Sequence, residues 1–117
     1  MTSSLPFGTV VKIAFPFADL AVTKSAPAVV ISSERYHYER PDVVLVRVSS
    51  KTGKLRDRFG VVEIPDPADC GLSLPSVIKP VLVTVSRDRI FQVLGQLDLG
   101  TAAHLRSALK EILGPLA

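Results

Sequence analysis

Residues 23–32 read TKSAPAVVIS, and this stretch decides the class of fold. Its second half is a run of small and β-branched residues, which favours a β-strand. Pro27 is acceptable there if it stands at the first position of that strand. Lys24 is the cation nearest to the strand's entrance, and it is either a ligand-binding group or a solvated side chain. The flanking sequence has to decide between these two readings.

Similar short runs rich in valine and isoleucine lie on both sides of this stretch, and each predicts a strand. The proline inside the run at residues 74–85 predicts an edge or a bulge, and a glycine bends the last run. The segment ERYHYERP at residues 34–41 is read as a loop. The predicted strands are GTVVKIAF (8–15), PAVVIS (27–32), DVVLVRVSS (42–50), GVVEIP (60–65), LPSVIKPVLVTV (74–85) and RIFQVLGQLD (89–98).

The period of the apolar residues changes after Asp98. Leu105, Leu109 and Ile112 follow at helical spacing, Asp98 is a candidate N-cap, and Gly114 is a stop signal. Five or six short strands therefore precede one amphipathic C-terminal helix. This order predicts a mainly β domain built as a small curled sheet or partly open barrel, with the helix covering one opening.

Composition narrows the class of function. The chain has 117 residues and a net charge of +3, which predicts one domain over residues 1–117 and permits a polyanionic partner. No apolar run approaches about 18 residues and no secretory signal is visible, so we expect a cytoplasmic protein without membrane association. Cys70, His37 and His104 are too scattered for a metal site, so we expect neither a metal nor another cofactor.

The densest charge lies in SSKTGKLRDR at residues 49–58. It contains Lys51, Lys54, Arg56 and Arg58 against a single acid. The segment is either a solvated loop or a surface that follows a phosphate backbone.

Several stretches together resemble the MazF/PemK toxins of bacterial toxin–antitoxin pairs. The order of the motifs carries the resemblance, which spans nearly the whole chain. It implies an SH3-like barrel of the CcdB/PemK type with five to seven short strands, a homodimer, a cognate antitoxin, and metal-independent cleavage of single-stranded RNA. The stretches are GTVVKIAFPFADL, KSAPAVVIS, DVVLVRVSS, GLSLPSVIKPVLVTV and VLGQLDLGTAAHLRSALKEILG.

Cleavage of RNA without a metal needs an acid, a base and a fixed cation around the phosphate. The resemblance places Ala26 at the family's arginine position, Val81 at a position that is acidic in some members, Ser49 at the hydroxyl position and Lys79 at a basic position. Asp19 matches the first loop.

Two further residues come from their place in the sequence. Arg47 shares a strand face with Ser49 by alternation, and it is either an exposed arginine or a phosphate contact that replaces the missing one. His37 is a second candidate for proton transfer beside Asp19, or else a structural residue of its loop.

The sequence therefore predicts catalytic residues and phosphate-binding residues, and it leaves two other functions open. One is an inactive barrel that binds nucleic acid or an antitoxin, and the other is a CcdB-like gyrase poison. The predicted catalytic residues are Ser49, Arg47, Lys79 and Asp19, and the predicted phosphate-binding residues are Lys24, Lys51, Lys54 and Arg56.

Overall fold

The computed structural model of the protein describes residues 4–15 and 24–115. Six strands form one antiparallel sheet in the order β4-β5-β3-β2-β1-β6. The prediction of a mainly β fold with five to seven short strands is confirmed. The strands are β1 (Thr9–Phe15), β2 (Lys24–Val30), β3 (Asp42–Ser49), β4 (Val62–Ile64), β5 (Ser76–Ser86) and β6 (Ile90–Gln96).

The helices are α1 (Glu34–Glu39), α2 (Thr52–Leu55) and α3 (Leu99–Leu113), and two 3-10 helices cover Pro67–Cys70 and Arg87–Arg89.

The predicted C-terminal helix is confirmed as α3. Asp98 caps it, because its Oδ1 accepts a hydrogen bond from the Thr101 N–H at 2.7 Å, and Gly114 ends it at φ 73°. The prediction of a loop at residues 34–41 is wrong. Ser33 caps α1 there by accepting a hydrogen bond from the Tyr36 N–H at 3.1 Å. This one-turn helix is too short to show a helical period in the sequence.

Apolar side chains are buried on both faces of the sheet, and they form two clusters. The first cluster lies under α3, and the second lies on the opposite face of the same strands. Alternation along the strands explains the split, because neighbouring residues point to opposite faces. The first cluster includes Val10, Val29, Val46, Val48, Leu105 and Leu109, and the second includes Val11, Ile13, Ala28, Val30, Val43 and Leu45.

Both strand prolines lie where the sheet is irregular. Pro80 of β5 lies opposite a register shift between Val46 and Val48 of β3, which confirms the predicted bulge. Pro27 is the fourth residue of β2 and not the first, which corrects the predicted boundary. It is tolerated because β2 pairs with β3 only from Ala28 onward, so no β3 acceptor requires a donor at Pro27.

The curl brings the 3-10 helix Pro67–Cys70 against β6. A Cβ on Gly95 would lie 2.7 Å from the carbonyl carbon of Cys70, and a Cβ on Gly71 would lie 2.7 Å from the carbonyl carbon of Leu94. Only residues without a Cβ allow this approach. The contact holds the chain that follows, residues 71–75, beside the end of β3. In the part of the chain that the structure describes, no helix is both long and apolar enough to cross a membrane.

Candidate active site

A cleft of about 460 Å³ opens where β2 and β3 separate. Arg47 is the last residue of β3 that pairs with β2, and beyond it Val48 and Ser49 pair only with β5. The strands part at Pro27 on one side and Val48 on the other, and the loop after Cys70 forms the outer wall. The lining residues are Lys12, Pro27, Arg47, Val48, Ser49, Ser50, Lys51, Gly71, Leu72, Ser73, Leu74, Ser76, Lys79 and Leu94.

The cleft is strongly basic. Among the described residues that line it there are four cations, Lys12, Arg47, Lys51 and Lys79, and no carboxylate. Burial lowers the pKa of Lys79 below its usual 10.5, and the charges of Arg47 and Lys51 lower it further. Cations crowded in this way gain free energy when an anion joins them. The cleft is therefore suited to a phosphate group.

Hydroxyl groups complete the lining and also fix its walls. Ser49 Oγ accepts a hydrogen bond from the Lys51 N–H at 3.1 Å, which turns the chain at the end of β3. Ser76 Oγ donates to the Leu74 carbonyl at 2.8 Å and holds the loop beside β5. The Ser49 hydroxyl keeps its own proton to donate, because an accepted bond does not use it.

A second cleft, of about 680 Å³, lies between α2, β4 and the start of α3. It mixes signs of charge, with Asp57, Glu63 and Asp98 beside Arg56. Arg56 Nε lies 2.6 Å from Glu63 Oε1, so its charge is compensated. Within the described residues, no three His, Cys, Asp or Glu side chains cluster so as to hold a metal ion.

The chain fits one family over nearly its full length. Residues 7–113 match the model of the PemK-like, MazF-like toxins of type II toxin–antitoxin systems. The chain belongs to this family. No curated protein sequence matches it.

Solved structures of MazF toxins share the fold of this PemK/MazF family member. An endoribonuclease in complex with its cognate antitoxin from a Mycobacterial species is 19% identical, with a TM-score of 0.73 over 99% of this chain and 100% of that one. A MazE–MazF complex from Deinococcus radiodurans is 22% identical, with a TM-score of 0.74 over 96% and 98% of the two chains. Identities this low show the fold alone, and they confirm the predicted PemK-type barrel.

The structure places four of the predicted residues in the basic cleft and separates two others from it. Arg47, Ser49, Lys51 and Lys79 line the cleft. Arg56 lines the second cleft, so it does not share a phosphate site with them. Lys54 lies on α2 and is exposed, and it is not among the lining residues of either cleft.

The remaining predicted residues fall elsewhere. Asp19 lies outside the described residues. Lys24 is the first residue of β2, and its side chain is also outside the described part of the chain. His37 is buried on α1, and its Nε2 lies 2.6 Å from Ser32 Oγ. Ser32 in turn accepts a hydrogen bond from the Val44 N–H, near the start of β3, whereas the cleft lies at the end of that strand. His37 is therefore a structural residue in the described fold.

Ala26, at the family's arginine position, is not among the lining residues. It pairs with Ile13 and packs against the second apolar cluster, so its side chain belongs to the other face of the sheet from Lys12 and Pro27. Sequence reasoning missed Lys12. The signal was present, because Lys12 interrupts the apolar run TVVKIAF as Arg47 interrupts VVLVRVS.

Proposed function

We propose that this PemK/MazF family toxin cleaves single-stranded RNA in the basic cleft between β2 and β3, without a metal ion. The observation that carries the proposal is the convergence of Arg47, Ser49, Lys51 and Lys79 on one concave surface whose described lining has no carboxylate. An RNA phosphate carries the negative charge that complements these cations. Cations fixed beforehand also stabilise the extra charge of a pentacoordinate phosphorus.

In the proposed reaction the ribose 2′-oxygen attacks the adjacent phosphorus. A bond forms between the 2′-oxygen and phosphorus, and the bond between phosphorus and the 5′-oxygen breaks. The 2′-hydroxyl loses its proton to a base, and the leaving 5′-oxygen receives one. The products are a 2′,3′-cyclic phosphate and a 5′-hydroxyl, and no co-reactant is consumed.

Each cleft residue has a role in this scheme. Arg47 and Lys51 stabilise the nonbridging oxygens, and Arg47 does so with the planar fork that matches a phosphate. Ser49 donates its hydroxyl proton to one of these oxygens. Lys79 transfers a proton, because its lowered pKa brings an ammonium group closer to the pH of the cell. Asp19 is the second candidate for proton transfer.

One observation favours a second function, which is RNA binding without efficient cleavage. The family's arginine position is Ala26, and its side chain packs against the second apolar cluster. If Arg47 does not take over the arginine's role, the loss of one fixed donor lowers the rate by about 10²–10³. The cleft would still bind RNA through its remaining cations.

Two neighbouring lysines provide the matched test of the proposed site. Lys51 lines the cleft, whereas Lys54, three residues later, is exposed and lines neither cleft. Labelled single-stranded RNA is incubated with wild type, Lys51→Gln or Lys54→Gln in the presence of EDTA, with duplex RNA as a control. We expect wild type and Lys54→Gln to cut single strands alike and Lys51→Gln to cut them more slowly. Equal rates for the two variants would place the reaction elsewhere.

We also propose two protein partners. The relatives of known structure include toxins bound to their antitoxins, which supports a cognate antitoxin for this chain. Phe91 and Val93, two residues apart on the edge strand β6, are 57% and 53% exposed, which supports a second copy of the chain packed there. Light scattering that gives the mass of one chain at every concentration would exclude the dimer.

A further inference from the structure

Three cations of the basic cleft follow one another in strand order, Lys12 on β1, Arg47 on β3 and Lys79 on β5, and Lys12 lies at one end of this row. Lys12 stands opposite Pro27 of β2, whereas Arg47 stands opposite the next residue of β2, Ala28. Neighbouring residues of a strand point to opposite faces, so the pairing alone does not bring Lys12 to Arg47. They share the cleft because it opens where β2 and β3 part.

The spacing of the strands keeps Lys12 and Lys79, the two ends of the row, far apart. Neighbouring strands lie about 4.8 Å apart, so Lys12 on β1 and Lys79 on β5 have backbones roughly 14 Å apart across three intervals. Ser49 and Lys51 lie on the Lys79 side of the fork, beyond the last pairing of β2 with β3. The groups proposed for chemistry therefore gather at one end of the cleft, and Lys12 stands at the other.

No contact within the described residues explains a charge at Lys12. Its side chain is half-buried, and among the described residues no hydrogen bond or ion pair reaches its ammonium group. Both strand neighbours, Val11 and Ile13, are completely buried. A half-buried cation without a described partner, on the lining of a basic cleft, can bind an anionic ligand.

We infer that Lys12 binds a phosphate next to the scissile one, so that the RNA backbone crosses β5, β3, β2 and β1 instead of running along one strand. The inference rests on the proposed function, and it adds a positioning residue and a direction for the RNA. Lys12 holds the strand in place, whereas the residues near Ser49 act on the phosphate that is cut.

The test compares two cations at opposite ends of the row. A single-stranded RNA is made uncleavable by 2′-O-methyl groups, and a neutral methylphosphonate replaces each phosphate in turn. Affinity is measured for wild type, Lys12→Gln, Lys79→Gln and Lys110→Gln, the last being an exposed control on α3. When a variant lacks the cation that contacts a given phosphate, replacing that phosphate with the methylphosphonate should not change the variant's affinity. We expect Lys12→Gln and Lys79→Gln to lose sensitivity at two different phosphates.

The same variants give a salt dependence and a melting temperature. We expect Lys12→Gln to lower affinity about tenfold and to reduce the salt slope by about 0.7, the value for one neutralised phosphate of a single strand. Lys12→Arg should restore most of the affinity. The melting temperatures of Lys12→Gln and Lys110→Gln should match that of wild type within a few degrees, since neither residue makes a described contact.

The outcomes separate the two proposals. If wild type neither binds nor cuts RNA, both fall. If wild type binds RNA and Lys12→Gln behaves as Lys110→Gln does, only the role of Lys12 falls. If Lys12→Gln and Lys79→Gln lose sensitivity at the same phosphate, the RNA does not cross the sheet as inferred.

Discussion

Replacement of Arg47 by alanine tests the proposed replacement of the family arginine. Arg47 stands at the fork of β2 and β3, lines the basic cleft and lowers the pKa of Lys79. If its guanidinium stabilises the phosphorane, Arg47→Ala should reduce kcat/KM by about 10²–10³, or roughly 3–4 kcal/mol of barrier. Arg47→Lys should recover only part of this, because a lysine is a point charge without the bidentate fork.

The variant also changes the pH profile in a defined direction. Without the Arg47 charge the pKa of Lys79 should rise toward its usual value, since one of the three causes of its lowering is removed. The pH limb that reports Lys79 should therefore move to higher pH in Arg47→Ala. A variant that only disturbed the fold would lower activity without moving the limb.

The assay is the rate of cleavage of a labelled single-stranded RNA across a pH series, with thermal unfolding of each variant measured in parallel. Arg56→Ala is the matched control, because Arg56 is an arginine that pairs with Glu63 in the second cleft. It should keep the wild-type rate. An Arg47→Ala protein that is folded and cuts RNA as fast as wild type would refute the role of Arg47.

Three further predictions concern stability. Gly95→Ala should destabilise the fold by roughly 1–3 kcal/mol in urea unfolding, because the new Cβ would lie 2.7 Å from the Cys70 carbonyl carbon, whereas Gly53→Ala, which meets no neighbour within 4 Å, should not. Lys79→Met should raise the melting temperature while it weakens RNA binding. The pKa of Lys79 is lowered in the folded state, so its charge destabilises the fold at every pH below about 10.5. A variant that gains no stability would contradict the crowding of cations around Lys79. Burial and the charge of Arg87 lower the pKa of His37 below 6.5, and Glu34 opposes this shift. The unfolded chain therefore takes up a proton first, and stability should fall as the pH drops through 6.5. The decrease in melting temperature from about pH 7.5 to about pH 5 should be smaller in His37→Gln than in wild type, and an equal decrease would contradict this role of His37.

The strands could be predicted from the sequence because their signal is local. Runs such as DVVLVRVSS alternate or stay β-branched over their whole length, and Asp98 and Gly114 mark the ends of α3 with side chains that make the caps themselves. The one-turn helix α1 gave no such signal, since six residues are too few to repeat a helical period. Its evidence is the Ser33 cap, which also occurs in turns.

The site could be predicted only in part because it depends on register. Alternation placed Arg47 and Ser49 on one face of β3, and both line the cleft. Lys12 interrupts the apolar run of β1, but only the fold shows that it lines the same cleft. Lys51, Lys54 and Arg56 looked alike as neighbours in a basic segment. The chain turns at α2 after Lys51, and Arg56 beyond this turn pairs with Glu63 on β4.

The central claim is that the basic cleft cuts RNA through the ribose 2′-hydroxyl, and the chemical ends of the products test it most directly. Purified protein is incubated with single-stranded RNA in EDTA, and the fragments are identified by mass spectrometry. The cleft as described predicts fragments that carry a 2′,3′-cyclic phosphate and a 5′-hydroxyl, and a substrate with a single 2′-deoxyribose at the cut position should stay intact. Intact RNA in EDTA, or fragments that carry a 5′-phosphate, would contradict the claim.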